Sequence, residues 1–269
     1  MPNDLLLPER LLALAGDFTR HNDALNALTL NGASPANTVL DHIPATQRLA
    51  RETFGATDAL KSQRLQYSAP VREASVRLRQ LAYLATEAAE HLIDAMDLIE
   101  AARIQAASST EPPHFYLHAL MDAGSRIQLA RELTALGPDD AFATAELLAT
   151  EMRRQHLASD RGPARLTATQ HTALRIAARG HVEITELIGK HYVSSRDVRL
   201  TITTIRALED KGLLQRESRP TAAGGHQRVH LTTEGRRTLA STFGRPQRPA
   251  PSPPATAPPA RATTAAPTR

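Results

Sequence analysis

The sequence contains no cysteine and no tryptophan, and its aromatic rings come from only four tyrosines and five phenylalanines. Without thiols the chain forms no disulfide, thiolate zinc site or cysteine nucleophile, a composition typical of the reducing cytoplasm. So few rings also argue against the stacking platforms that bind single-stranded nucleic acid. Apolar runs of about 18 residues, which a membrane-spanning helix needs, are missing as well. Because Glu9 and Arg10 interrupt the apolar N-terminal segment, it differs from a signal peptide, and we predict a cytoplasmic protein without membrane contact.

Charge is divided unevenly along the chain. Residues 1–160 carry 14 basic and 21 acidic side chains, a net charge of −7, whereas residues 161–269 carry 18 and 7, a net charge of +11. A strongly basic half indicates a polyanionic partner. Arginine outnumbers lysine 29 to 3, which fits either genomic base composition or selection for arginine chemistry.

The first half has the periodicity of successive α-helices. It predicts helices over 8–30, from Pro35 through Ile43 with a break or restart at Pro44, and over 68–107, 115–136 and 141–157. The 68–107 helix repeats apolar residues every seven positions, and we name this set the heptad seam: Leu78, Leu81, Ala85, Ala88, Leu92, Ala95 and Ile99. Such a seam is typical of coiled coils and helical bundles. A helix of about 57 Å is too long for its own small domain to cover, so we expect a second copy to pack on it.

Three helices and a strand are predicted where the second half begins. The first helix covers 166–178 with Thr167 as its N-cap, and a short strand follows at 182–184. A second helix is expected over 186–192, with Leu187 and Ile188 facing inward. The third, over 194–210, would begin with a capping box formed by Ser194 and Asp197.

The third helix is predicted to be amphipathic. At 100° per residue its core face holds Val198, Ile202, Ile205, Leu208 and Glu209. Its opposite face suits a DNA major groove, because arginine can reach guanine bidentately and threonine can meet a thymine methyl group. Leu200 lies on that opposite face, so either it touches thymine methyls or the helical phase is shifted by a residue. The side chains expected to contact DNA from this segment are Ser195, Arg196, Arg199, Thr203 and Arg206.

Two strands follow, over 213–218 and 226–231, joined by the turn RPTAAGG, and a closing helix covers 232–243. This strand pair is the wing of a winged helix-turn-helix. Its polar side chains are placed to contact phosphate or the minor groove; they are Arg216, Arg219, His226 and Arg228.

The run LEDKGLLQRE, followed at wing distance by VHLTTEG and preceded by LTATQ, resembles the multiple-antibiotic-resistance-regulator (MarR-like) family of winged-helix proteins. The resemblance covers residues 166–243 and is specific for the fold more than for a subfamily. It implies a winged helix, a duplex DNA partner, and a DNA-contacting wing arginine at Arg228.

Catalytic and metal sites have little support in the sequence. Glycine-rich phosphate loops, serine nucleophile elbows and metalloprotease helices are missing. Two clusters have residue types and spacings that could bind a metal ion. One comprises Glu87, Glu90, Asp94 and Asp97, and the other His114, His118 and Asp122. For both clusters we favour the interpretation that the side chains are simply polar and exposed to solvent. We therefore predict no enzyme, no cofactor and no metal.

These observations predict a mainly α protein in three parts. An N-terminal helical bundle with a long coiled-coil-like helix (1–160) precedes the winged helix-turn-helix (161–244). A disordered tail rich in proline, alanine and arginine follows (245–269). The helical part is expected to dimerise and is where a small-molecule effector, if there is one, would bind.

The leading functional hypothesis is a transcriptional regulator that binds duplex DNA sequence-specifically as a homodimer. Its two recognition helices would engage half-sites about one helical turn apart, or a multiple of it. One alternative is a replication, partition or nucleoid-associated DNA-binding protein of a plasmid or phage. A further alternative is a protein-interaction scaffold.

Overall fold

The computed structural model describes residues 6–32, 34–108, 114–157, 166–219 and 225–245, without the side chain of His114. In the first half these residues form α1 Leu7–Ala27, α2 Pro35–Leu40, α3 Ile43–Ser62, α4 Ala69–Ser108, α5 His114–Ala135 and α6 Gly137–Arg154. In the second half they form α7 Ala168–Ala178, β1 Val182–Leu187, β2 Lys190–Ser195, α8 Ile202–Asp210, β3 Leu214–Ser218, β4 His226–Leu231 and α9 Thr233–Thr242. The predicted mainly α class with a small sheet is confirmed. None of the helices in these ranges is long and apolar enough to cross a membrane.

The heptad seam lies on the 40-residue helix α4, and all of its residues are buried. The seam is covered within the chain, because α2, α3, α5 and α6 pack against α4, and packing of a second copy on this helix stays a prediction. Leu92 and Ile99, for example, share a core with Ile127 of α5 and Leu25 of α1. Several short helices return along one long helix, so its length alone does not indicate a partner.

Prolines lie in the first turns of α1, α2, α3 and α6, and two of them change the predicted helix bounds. Pro44 lies in the first turn of α3, so the second predicted helix is divided into α2 and α3. Pro138 lies in the first turn of α6, which begins at Gly137 instead of the predicted residue 141. Proline is tolerated there because first-turn amides have no partner within the helix. Asp139 and Asp140 stabilise the same end of α6 through the helix dipole.

The second half contains a four-stranded antiparallel sheet with strand order β2-β1-β4-β3. The two strands predicted for the wing form the β3–β4 hairpin, in which Leu214 pairs with Leu231 and Ser218 with Gln227. Its turn at 220–224 lies outside the described residues, as do the predicted tail beyond Arg245 and the predicted domain boundary near 160.

Side-chain caps begin the helices that flank this sheet. The hydroxyl of Thr167 accepts a hydrogen bond from the backbone N–H of Gln170, whose side chain accepts one from the N–H of Thr167. This capping box confirms the predicted start of α7. Thr232 caps α9 by accepting from the N–H of Gly235, which confirms the closing helix.

A β-hairpin, Val182–Ser195, occupies the place of the predicted second helix, and we call it the arm. The helix prediction over 186–192 is wrong, and Leu187 and Ile188 point to solvent rather than inward, with 58% and 93% of their surface exposed. The deciding pattern is alternation: Ile184 and Val193 are paired across the strands and face the core. At the arm tip Ile188 and Gly189 have φ of +51° and +68°, as in type I′ turns. That conformation costs an L-residue with a side chain roughly 1–2 kcal/mol.

Helix α8 is shorter than the predicted third helix. It begins at Ile202 behind the cap Thr201, whose hydroxyl accepts from the N–H of Thr204, and not behind Ser194 and Asp197. Residues 196–201 are irregular, so a helical phase does not apply to them. As a result Val198, assigned to the core face, is 42% exposed, and Leu200, assigned to the DNA face, is buried.

One hydrophobic core joins the two halves of the chain. Phe142 of α6 meets Phe243, just after α9, edge to face at 5.6 Å between ring centroids. Phe18 of α1 belongs to the same core, together with Leu174 of α7 and Val229 of β4. The second half is therefore held against α1 and α6 by packing as well as by the chain connection.

Candidate nucleic-acid interface

Four exposed side chains follow one another along the loop before α8 and along α8 itself: Arg196, Arg199, Thr203 and Arg206. We call them the basic strip. None of its three arginines has a hydrogen bond or an ion pair with another described residue. Asp197 lies beside them and reduces the local positive charge. A guanidinium without a partner can bind a phosphate or the edge of guanine through two parallel hydrogen bonds.

The backbone that carries the basic strip is held in place both in α8 and in the loop before it. Ile205 and Leu208 bury one face of α8, so Thr203 and Arg206 point away from the core. Before the helix, Leu200 is buried, and the hydroxyl of Ser195 donates a hydrogen bond to the carbonyl of Val198. Ser195 therefore holds the loop, which is a different role from the DNA contact expected of it.

The two wing arginines nearest the helical half are bound within the chain. Arg228 donates to both carboxylate oxygens of Asp23 on α1, at 2.9 Å from Nε and 2.7 Å from Nη2, and to the carbonyl of Gly180 at 2.7 Å. Arg219 lies 2.9 Å from Asp23 and also pairs with Glu183. Only 12% of the Arg228 side chain and 21% of the Arg219 side chain are exposed. These contacts contradict the expectation that both arginines point toward DNA.

The other two wing residues also have partners. Arg216 makes two hydrogen bonds of 2.6 Å to the carboxylate of Glu209, which ties β3 to the C-terminal end of α8. Glu209 was assigned to the core face and serves here as a counter-ion. Nδ1 of His226 lies 3.2 Å from the hydroxyl of Thr185 on β1. Of the side chains expected to contact DNA, Arg196, Arg199, Thr203 and Arg206 are therefore the exposed ones without a hydrogen-bond partner among the described residues.

Ion pairs between the two halves explain part of the charge asymmetry. Glu146 and Asp139 of α6 pair with arginines of α7 and its C-terminal end, at 2.6 Å to Arg175 and 3.8 Å to Arg179. In the opposite sense, Arg20 of α1 pairs with Glu217 of the wing at 2.7 Å. These contacts were not predicted from the sequence. An acidic half followed by a basic half can indicate that the two halves pack on each other, as well as that the basic half binds a polyanion.

A buried histidine completes the contact between α1 and the wing. Burial lowers the pKa of His230 to about 4, and its Nε2 lies 3.5 Å from the carboxylate of Glu217. The hydrogen bonds from Arg20 lower the pKa of Glu217. His230 is therefore neutral at neutral pH, and Glu217 is ionised, so the arginine–carboxylate pair carries the charge of this contact.

A cleft of about 490 Å³ lies beside Arg196 and reaches α6 of the helical half. Its lining carries charges of both signs: Asp139, Asp140, Arg179, His181, Arg196 and Asp197. Nδ1 of His181 and Nε of Arg179 are buried and have no hydrogen-bond partner among the described residues. The cleft connects the helical half to the start of the basic strip.

The clusters considered for metal binding do not form sites in the described part of the chain. On α4, Glu90, Asp94 and Asp97 are exposed and Glu87 is half-buried. On α5, His118 and Asp122 are exposed, while the side chain of His114 lies outside the description. Within the described residues no group of three histidine or acidic side chains is arranged to hold a metal ion.

No protein-family model matches the chain, and neither the curated proteins nor the solved structures contain a significant match. The resemblance of residues 166–243 to the MarR-like family therefore stays a prediction.

Proposed function

We propose that the protein binds duplex DNA through the basic strip, with α8 entering the major groove. The observation that carries this proposal is the group of three exposed arginines without partners in the described chain, where most other arginines of the second half are paired. Base recognition fits α8, since Arg206 and Thr203 are one turn apart on its exposed face. In this proposal DNA is the partner and the chain is not an enzyme.

The interface proposed here is narrower than the one expected from the sequence. We no longer assign DNA contacts to three wing arginines, because their ion pairs within the chain stabilise the fold; they are Arg216, Arg219 and Arg228. The β3–β4 hairpin supports the proposal through its position, because Arg216 joins it to the C-terminal end of α8 and paired strands can also enter a DNA groove. Sequence-specific regulation is the form of activity that we favour, and homodimerisation stays a prediction.

The test begins with a duplex selected from a random pool by the wild-type protein. Replacing Arg196, Arg199 and Arg206 together by alanine removes three cationic contacts. We expect an affinity loss of at least about 100-fold and a salt slope that is lower by up to about 3, because each phosphate contact adds about 0.9. Fluorescence anisotropy over a range of salt concentrations measures both quantities.

The matched control replaces Arg64, Arg72 and Arg79 of the helical half, which are also exposed, by alanine. The change in net charge is the same, so a smaller effect in the control separates a local interface from general electrostatic attraction. Equal losses in both triple variants, or no binding of any duplex by the wild type at low salt, would contradict the proposal.

Genomic footprinting distinguishes the forms of this activity. Sites at promoters support a transcriptional regulator, whereas an origin or an iterated array supports the replication, partition or nucleoid role. Sedimentation of the complex gives the number of chains per site, which tests the predicted homodimer directly.

A further inference from the structure

The arm tip carries the most exposed large apolar side chain in the described part of the protein. Ile188 is 93% exposed, and its φ of +51° is one that β-branched residues rarely adopt. Leu187 and Tyr192 next to it are also more than half exposed. Ile188 is not buried within the described chain, so no packing there offsets the cost of its positive φ. A contact with another molecule is therefore the better explanation for an aliphatic side chain at this position.

The arm tip lies at the end of the sheet where β4 begins. Pairing of β1 with β4 is limited to residues 183–185, whereas its pairing with β2 continues to Leu187 and Lys190. The N–H of Glu186 donates to the carbonyl of Gly225, where the wing turn ends, at 3.1 Å. The arm therefore extends past the first residue of β4 and lies next to Gly225.

We propose that the arm enters the minor groove of bound DNA and that Ile188 inserts between two base pairs as an apolar wedge. This inference rests on the proposed function, because it requires a duplex held by α8. Proteins that kink DNA insert isolated aliphatic side chains between base steps from the minor groove. The Ile188–Gly189 turn presents one such side chain at its apex, on a backbone fixed by the ladder of paired strands.

The shape and charge of the arm tip favour this partner over two others. The large exposed apolar side chains of the arm are Leu187, Ile188 and Tyr192, with Ile188 at the apex. So small a surface suits a wedge, whereas a second copy of the chain would need a broader apolar surface. Glu186 is exposed at the tip beside Lys190, and one lysine is too little positive charge to adsorb to an anionic lipid surface. Lys190 is paired with Leu187 across the turn. In a complex with DNA it can contact a phosphate beside the step that Ile188 enters.

The test compares Ile188→Asn with Ile188→Leu. Asparagine followed by glycine is the preferred pair for a type I′ turn, so Ile188→Asn removes the wedge and favours the turn. Leucine keeps an aliphatic side chain. The probe is the duplex selected by the wild-type protein, labelled at both ends for energy transfer and carrying 2-aminopurine at successive steps. Wild type and Ile188→Leu should bend it and raise 2-aminopurine fluorescence several-fold at one step.

We expect Ile188→Asn to bind the same duplex with an affinity within tenfold of wild type, but without the bend and without the fluorescence rise. A bend that is unchanged in Ile188→Asn overturns the wedge, and so does a wild-type complex that is not bent. In both cases tight binding by wild type leaves the proposed function intact. If wild type binds no duplex, both proposals fail. Loss of vesicle adsorption or of a dimer in Ile188→Asn, with bending unchanged, assigns the arm to a membrane or a second copy.

Discussion

Asp23 on α1 holds two wing arginines, and its replacement by asparagine should strongly weaken the fold. Asparagine has nearly the same shape as aspartate, but it lacks the charge and replaces one acceptor oxygen by an NH2 donor. The Asp23 side chain is 7% exposed and receives hydrogen bonds from Arg228 at 2.7 and 2.9 Å, with Arg219 at 2.9 Å. After the substitution, Glu183 is the only carboxylate left to pair with either arginine among the described residues.

The expected loss follows from the burial of this cluster. Removing one partner of a buried ion pair costs about 3–5 kcal/mol, because the remaining charge keeps its desolvation penalty. Since Glu183 stays in place and is 2.7 Å from Arg228, we expect the lower end of that range, about 3 kcal/mol. The matched control is Asp58→Asn, which breaks an exposed pair with Lys61 and should cost less than about 1 kcal/mol.

Urea unfolding followed by far-ultraviolet circular dichroism measures both free energies. Asp23→Asn should lower the urea concentration at the unfolding midpoint far more than Asp58→Asn. The slope of the free energy of unfolding against urea concentration should change little in either variant. If the two variants lose the same free energy of unfolding, the α1–wing contact does not stabilise the protein, and the case for removing Arg219 and Arg228 from the DNA interface collapses.

Two further predictions concern backbone conformation and pH. Gly180→Ala should destabilise the protein by more than about 1 kcal/mol, because φ is +73° there and the added methyl group would overlap Thr19. Gly124 in α5 has open space around it, so Gly124→Ala should leave the free energy of unfolding unchanged or raise it by up to about 1 kcal/mol. Urea unfolding measures both glycine variants. Burial lowers the pKa values of His21 and His230 to about 4, so the unfolded chain binds more protons between pH 6.5 and 4. The free energy of unfolding should therefore decrease as the pH is lowered from 6.5 to 4. His230→Gln should reduce this slope in urea titrations; an unchanged slope would contradict the assignment.

Elements with local signals were predictable from the sequence. Thr167 with Gln170 places the start of α7, Pro44 marks the restart at α3, and the heptad seam gives the length and buried face of α4. The wing strands follow from the turn residues between them. Each of these signals acts over a few residues, so a linear pattern is enough to read it.

The segment between α7 and α8 had competing local signals. Leu187 and Ile188 suggested a helix, while the alternation through Ile184 and Val193 fits two strands. Pairing of β1 with β4, about 40 positions away in the chain, adds hydrogen bonds that an isolated helix cannot match. Tertiary context therefore decided between the two.

The sequence by itself determined the helical character of the first half, the β3–β4 strand pair, the caps of α7 and α9, and the excess of arginine in the second half. Only the tertiary structure decided which arginines remain available. Arg228 and Asp23 are 205 positions apart, and no local pattern links them. Because an ion pair depends on distance in space, charge counting along the chain could not separate the arginines that hold the wing to α1 from the three that face solvent around α8.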